Sequence, residues 1–214
     1  MTDEQPMDAG ADHVEREAGP QELRRDLEAL LFASGAPLTV EVMVNALELP
    51  GELGRGQVEA ALAALAGEYC GDERHGIEVV RLAGGWAFRT CARCHAAVSR
   101  MFETPDDSGR LSPAALECLA VVAYLQPVSR PQIAEIRGVN SDSTVHTLLE
   151  RELITEVGRS VAAGGALLYG TTRRFEAVFG LAGMDELPPL EGFGLTEDQK
   201  DELRRRLGLL TVPE

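Results

Sequence analysis

The chain has 214 residues, of which 44% are hydrophobic and 26% charged, a composition that fits one large or two small soluble domains. No run approaches the roughly 20 consecutive apolar residues of a membrane-spanning helix, so no membrane association is expected. The formal net charge of −15 opposes the Lys and Arg neutralisation of phosphates on which nucleic-acid affinity largely rests.

Residues 1–20 are acidic and polar, without apolar periodicity, and are expected to form a disordered segment. They also lack the apolar core of a secretory signal, so a cytoplasmic location is expected. A helix is predicted from about Gln21, because Leu23, Leu27, Leu30 and Leu31 recur at helical spacing and Gly35-Ala36-Pro37 ends the pattern. Thr39 caps a second helix carrying Val40, Met43, Val44 and Leu47. Pro50, Gly51, Gly54 and Gly56 are expected to form a loop. A third helix carries Val58, Leu62, Leu65, Ala66 and Tyr69. Ile77 to Leu82 and Trp86 to Thr90 then form a hairpin, with Gly84-Gly85 as its turn signal. A further helix is expected near Ala92–Met101, and Thr104 to Gly109 has linker composition.

The second half repeats the pattern. Ser112 and Pro113 open a helix in which Leu116, Leu119, Ala120 and Ala123 recur at helical spacing, and Gln126-Pro127 stops it. Ser129 opens a helix with Ile133 and Ile136, closed by Gly138. Asn140 to Ser143 supply turn and capping chemistry for a third helix with Val145, Leu148 and Leu149 on one face. A two-stranded hairpin ending in Leu167-Leu168-Tyr169-Gly170-Thr171 follows, then a helix with Phe175, Val178 and Phe179. Pro37-Leu38-Thr39 parallels Pro127-Val128-Ser129, and Gly84 to Thr90 parallels Gly164 to Thr171. Two matches in the same order point to tandem winged helices. The fold class is therefore α+β and mainly helical, with two winged-helix domains, small hairpin wings and disordered termini. The expected domains are residues 21–105 and 106–182, followed by a tail over 183–214 in which Thr196 opens an amphipathic segment.

The runs LSPAALECLAVVAYLQPVSRPQIAEIRGVNSD, TLLERELITEVGR and LLYGTT, with the later LPPL, resemble the segregation and condensation protein B (ScpB) family. The first half resembles it through LEALLFASGAPLT and GGWAFRT, so the likeness extends from Leu23 to Leu190. The resemblance implies a non-enzymatic subunit of the bacterial SMC–kleisin complex. It implies a homodimer that binds the kleisin ScpA, and through it SMC, in chromosome condensation and partition. The acidic head, the Cys91/Cys94 pair and the tail beyond Gly192 depart from that likeness.

Charge supports a protein partner over DNA. The helix that would enter a major groove spans about Ser143 to Arg151, and its expected outward residues are Thr144, His146, Thr147 and Glu150. None is Lys or Arg, whereas the commonest specific base contact is Arg or Lys to guanine. Between Leu111 and Ser160 four arginines face six acidic residues. Tyr124, Val139, His146 and Tyr169 are the candidate partner contacts, through a helix-in-groove mode or strand capture along the wing. Tyr124 and Tyr169 equally suit the rim of a core. Trp86 is the candidate dimer contact of the first domain, against the alternative that it packs within its own domain. The competing function is a tandem winged-helix transcription regulator that binds DNA directly.

Cys91-Ala92-Arg93-Cys94-His95 matches the C-x-x-C-H pattern of haem attachment, but no export signal accompanies it. A zinc site would need a fourth ligand such as Cys70 or His75, and a redox dithiol lacks a thioredoxin-like βαβ context. No phosphate-binding loop or catalytic triad is legible, so no cofactor, metal or catalytic residue is assigned.

Overall fold

The computed structural model describes residues 19–49, 51–71, 74–102, 110–160 and 165–189. The disorder expected at both termini, the linker over 104–109 and the amphipathic segment after Thr196 lie outside the described residues.

In the first domain Leu23, Leu27 and Leu31 form one buried stripe of α1 (Pro20–Ala33). Thr39 caps α2 (Val40–Ala46) by accepting from the Val42 N–H, and Val40 and Met43 face inward. The long α3 (Gly51–Tyr69) buries Val58, Leu62, Leu65 and Tyr69. These stripes meet in one apolar cluster with Val79 of β1 (Ile77–Leu82). The expected loop over Gly51 to Gly56 is instead the first turns of α3. Gly54 belongs there because a Cβ would lie 2.7 Å from the Leu49 Cβ, so the helix can start only where its backbone approaches Leu49 this closely.

The wing pairs β1 with β2 (Gly85–Thr90) in antiparallel register, from Ile77 opposite Thr90 to Leu82 opposite Gly85. Its turn is therefore Ala83-Gly84, one residue earlier than the sequence signal. Both residues have positive φ, 50° and 74°, as the twist of a two-residue hairpin demands. Gly85 serves a different need. A Cβ there would sit 2.7 Å from the Leu38 carbonyl oxygen, because Leu38 and Trp86 exchange backbone hydrogen bonds of 2.9 and 2.8 Å. A 3-10 turn (Ala92–Cys94) then leads into α4 (His95–Phe102), which buries none of its residues.

The second domain repeats this plan with a larger sheet. Ser112 caps α5 (Pro113–Leu125) by accepting from Ala115 N–H at 3.2 Å. The buried face of α5 is Ala115, Cys118, Leu119, Val122, Ala123 and Leu125, whereas Leu116 and Ala120 are exposed. The helix is rotated from the sequence expectation because Ala115, Cys118 and Val122 share the stripe with Leu119. Then follow β3 (Val128–Ser129), α6 (Arg130–Arg137), α7 (Asp142–Glu150), β4 (Ile154–Arg159), β5 (Leu167–Thr171) and α8 (Arg173–Phe179). The sheet order is β3-β5-β4, so the expected two-stranded hairpin gains a third strand in Val128-Ser129. Val128 lies opposite Tyr169, as Leu38 lies opposite Trp86 in the first domain. The parallel between the two proline-led tripeptides is thus a shared strand contact.

Gln132 closes the start of α6 by accepting from Ser129 N–H at 2.9 Å, and Gly138 ends it at φ 68°. Beyond α8, Leu181, Met184 and Leu187 pack on the C-terminal core, which therefore continues past residue 182. The two domains touch through the first wing: Ala83 N–H donates to the Leu181 carbonyl at 2.8 Å, and Gly84 N–H to the Ala182 carbonyl at 2.7 Å.

Candidate partner-binding surface

The surface is built on α7, the helix that a DNA-reading winged helix would place in the groove. Val145 and Leu148 anchor it in the core, which turns His146 and Glu150 outward and leaves Thr144 and Thr147 half-buried. His146 Nε2 lies 3.4 Å from Glu150 Oε1. Asn140 shapes the preceding turn: its Oδ1 accepts from Asp142 N–H at 2.9 Å. That turn pushes Val139 into solvent, 54% exposed. Between α7 and the start of α5 runs a groove of about 280 Å³, lined by Leu111, Ser112, Ser143, Thr144 and Thr147 with Arg110 and Arg151 at its walls.

The four candidate contacts do not share one environment. Val139 and His146 stand exposed on α7 and its approach. Tyr124 is half-buried and its hydroxyl donates to the Pro188 carbonyl at 2.7 Å, tying the last described segment to α5. Burial holds that phenol above its ordinary pKa. Tyr169 is fully buried, and this corrects its reading as a surface contact. Its hydroxyl accepts from Arg130 Nε at 2.9 Å, and the Arg130 Cζ stands 5.5 Å from the ring centroid. β5 is the central strand of the sheet, and its Tyr169 packs into the C-terminal core cluster. Over that ring lies an apolar hollow of about 310 Å³, bounded by Arg130, Pro131, Ala166 and Leu167.

Three arginines near α7 make contacts within the domain, while Arg110 and Arg151 line the groove beside it. Arg137 is only 7% exposed in its side chain and donates to Glu117 Oε2 at 3.0 Å and to Ser141 Oγ at 2.9 Å. Arg130 serves Tyr169 and lies 3.9 Å from Asp142. Arg159 donates to the Gly165 carbonyl at 3.1 Å within the wing. Of the three, Arg137 is the one whose burial keeps its guanidinium from a phosphate.

In the first domain Trp86 is half-buried, packs against the N-terminal core and carries the Arg81 guanidinium 5.3 Å from its ring centroid. Besides Met101 and Phe102 of α4, the large apolar side chains there that reach solvent are Phe32, 82% exposed, Leu53, 72% exposed, and Val42. Val42 also lines an apolar groove of about 230 Å³ between α1 and α2, with Leu30, Ala33 and Leu38. Sequence reasoning missed this face. Its signal was available in Phe32, which falls outside the Leu23, Leu27, Leu31 stripe. Among the described residues no group of three His, Cys, Asp or Glu side chains is placed to hold a metal ion. None of the described helices is long and apolar enough to cross a membrane.

A family model described as segregation and condensation complex subunit ScpB matches residues 25–190. Segregation and condensation protein B of Desulforamulus reducens is 41% identical over 167 residues, covering 78% of this chain and 88% of that protein. The protein of the same name from Bacillus subtilis is 41% identical over 165 residues, covering 77% and 80%. Among solved structures, ScpB from Mycobacterium tuberculosis is 38% identical, covers 84% of this chain and 99% of that one, and superposes with a TM-score of 0.36. A conserved hypothetical protein from Chlorobium tepidum is 34% identical, covering 76% and 98%, with a TM-score of 0.34. The chain belongs to the ScpB family of segregation and condensation complex subunits.

Proposed function

We propose that the chain is a non-enzymatic interaction subunit of the SMC–kleisin complex, a homodimer that binds the kleisin ScpA in chromosome condensation and partition. It acts in the cytoplasm and joins the nucleoid through that complex. The observation that carries this reading is the electrostatics of the second winged helix. Arg137 is buried on Glu117 and Ser141, Arg130 and Arg159 each donate to an acceptor within the domain, and the outward face of α7 offers His146 and Glu150. Such a face suits a protein segment and disfavours a polyanion. The partner docks along α7 and its approach, with Val139 and His146 as contacts. Tyr124 holds the edge of the surface in shape, and Tyr169 supports it from the core. The homodimer forms through the α1–α2 face, where Phe32 and Val42 give the exposed apolar area expected of an interface. Trp86 braces that domain from within.

Co-purification with the kleisin tests the reading. The parent chain is expected to retain ScpA, and Val139→Glu with His146→Glu to weaken retention without a change in unfolding temperature. Phe32→Glu is expected to halve the mass measured by light scattering. Tight, salt-dependent binding of duplex DNA by the isolated chain would favour a transcription regulator and overturn the proposal.

A further inference from the structure

The Cys91-Ala92-Arg93-Cys94 motif lies outside both proposed interfaces, and its local geometry is specific. Cys91 is the N-cap of the 3-10 turn that joins β2 to α4, and its carbonyl accepts from Cys94 N–H at 2.9 Å. A hydrogen-bonded turn of this kind keeps its first and fourth Cα atoms within about 7 Å. Disulfides need roughly 4.4–6.8 Å, so the backbone is already close to the bridged geometry. Both sulfurs face the same peptide. The Cys91 thiol donates to the His75 carbonyl at 3.7 Å, and the Cys91 N–H donates to the Gly76 carbonyl at 2.9 Å. The Cys94 sulfur occupies the space beside Gly76, where a Cβ would lie only 3.3 Å from it. Cys91 is buried and Cys94 half-buried, so Cys94 is the more accessible thiol of the pair.

The other two cysteines lack this arrangement. Cys118 is enclosed in the C-terminal core, where burial pushes its thiol above the ordinary value. Cys70 is exposed at the end of α3.

We propose that Cys91 and Cys94 form a redox-active dithiol that closes reversibly to an intramolecular disulfide by exchange with a small-molecule disulfide such as oxidised glutathione. The Cys94 thiolate attacks one sulfur of the oxidant, forming a mixed disulfide and expelling one glutathione thiolate. The Cys91 thiolate then attacks the Cys94 sulfur and expels the second. The protein loses two protons and two electrons, and one glutathione disulfide becomes two thiols. The bridge fixes the direction in which α4 leaves the wing. That matters because α4 buries no residue of its own and carries Met101 and Phe102 exposed at its far end.

The test is to equilibrate the folded full-length chain in a glutathione redox series, block free thiols by alkylation and digest with trypsin. Cleavage after Arg89, Arg93 and Arg100 places the two cysteines on separate peptides. The expected product under oxidising conditions is those two peptides joined by a disulfide, from monomeric chains, lost on treatment with dithiothreitol. Cys118 stays unmodified until the chain is denatured. Cys91→Ser is expected to trap a persistent glutathione adduct on Cys94, and Cys94→Ser to leave Cys91 free. Full alkylation of both thiols across the series overturns the proposal. So does a stable glutathione adduct on Cys94 in the parent chain, which would mean that Cys91 does not resolve it.

Discussion

Tyr169 separates a core role from a binding role most sharply. The ring is fully buried in the C-terminal cluster, opposite Val128 in the sheet, and its hydroxyl accepts from Arg130 Nε at 2.9 Å. Tyr169→Ala removes the whole ring, and truncating a buried aromatic costs about 3–5 kcal/mol. Tyr169→Phe keeps the ring and removes one hydrogen bond. The Arg130 side chain is 40% exposed, so water replaces the lost acceptor and the cost is about 1 kcal/mol or less. For a domain of this size 1 kcal/mol moves the midpoint by roughly 4–8 °C. The alanine variant should therefore lower the C-terminal domain's transition by at least about 12 °C, and the phenylalanine variant by no more than about 8 °C. Thermal unfolding of the full chain followed by circular dichroism measures both, with the N-terminal domain's transition as an internal control. An alanine variant within about 1 kcal/mol of the parent that nevertheless fails to retain the kleisin would refute this reasoning and restore Tyr169 to the surface.

Glycines in α3 should respond in opposite directions. Gly56→Ala meets open space and is expected to stabilise by about 0.4–1 kcal/mol, whereas Gly54→Ala drives a Cβ into Leu49 and should destabilise by about 1–3 kcal/mol in urea denaturation. Gly84→Ala combines a φ of 74° with a Cβ 2.8 Å from the Arg173 guanidinium. It should loosen the contact between the first wing and the Leu181-Ala182 segment, seen as faster hydrogen exchange at the Ala83 amide; unchanged protection there would contradict the contact. Ser112→Ala removes the α5 cap and should cost about 1 kcal/mol, again in the C-terminal transition.

Local chemistry made most of this fold legible in the sequence. Caps at Thr39 and Ser112, the leucine stripe of α1 and the wing strands are short-range signals, and each forms as its residues dictate. The failures share one cause, which is that a distant backbone decides the outcome. Gly54 reads as a loop residue until Leu49 is seen packed against it. Gly85 reads as a turn residue until Leu38 is seen bonded to Trp86. Val128-Ser129 is too short to be recognised as a strand without β5 beside it. The candidate surface was legible only where a residue's exposure follows from its own helix, as for His146. Tyr169 was misplaced because a tyrosine in a hairpin strand suits either face, and only the third strand makes β5 central.

That third strand also engages an arginine that a DNA reader would leave free for phosphate. Pairing β3 with β5 brings Arg130, the first residue of α6, over Tyr169, where its Nε is used on the hydroxyl. Gly138, in the left-handed conformation, turns the chain so that Ser141 meets Arg137 Nη1 and the same guanidinium reaches Glu117 on α5. Both arginines thereby link α6 to its neighbours, Arg137 buried and Arg130 40% exposed. In a DNA reader the same cations would sit on exposed ends of α7 and the wing, where counterion release rewards them. Here the exposed wing strand β4 carries Glu156, and Arg159 closes onto the Gly165 carbonyl. With Arg130, Arg137 and Arg159 engaged inside the domain, the outward face of α7 is left to His146 and Glu150, the face on which the proposed protein partner would dock.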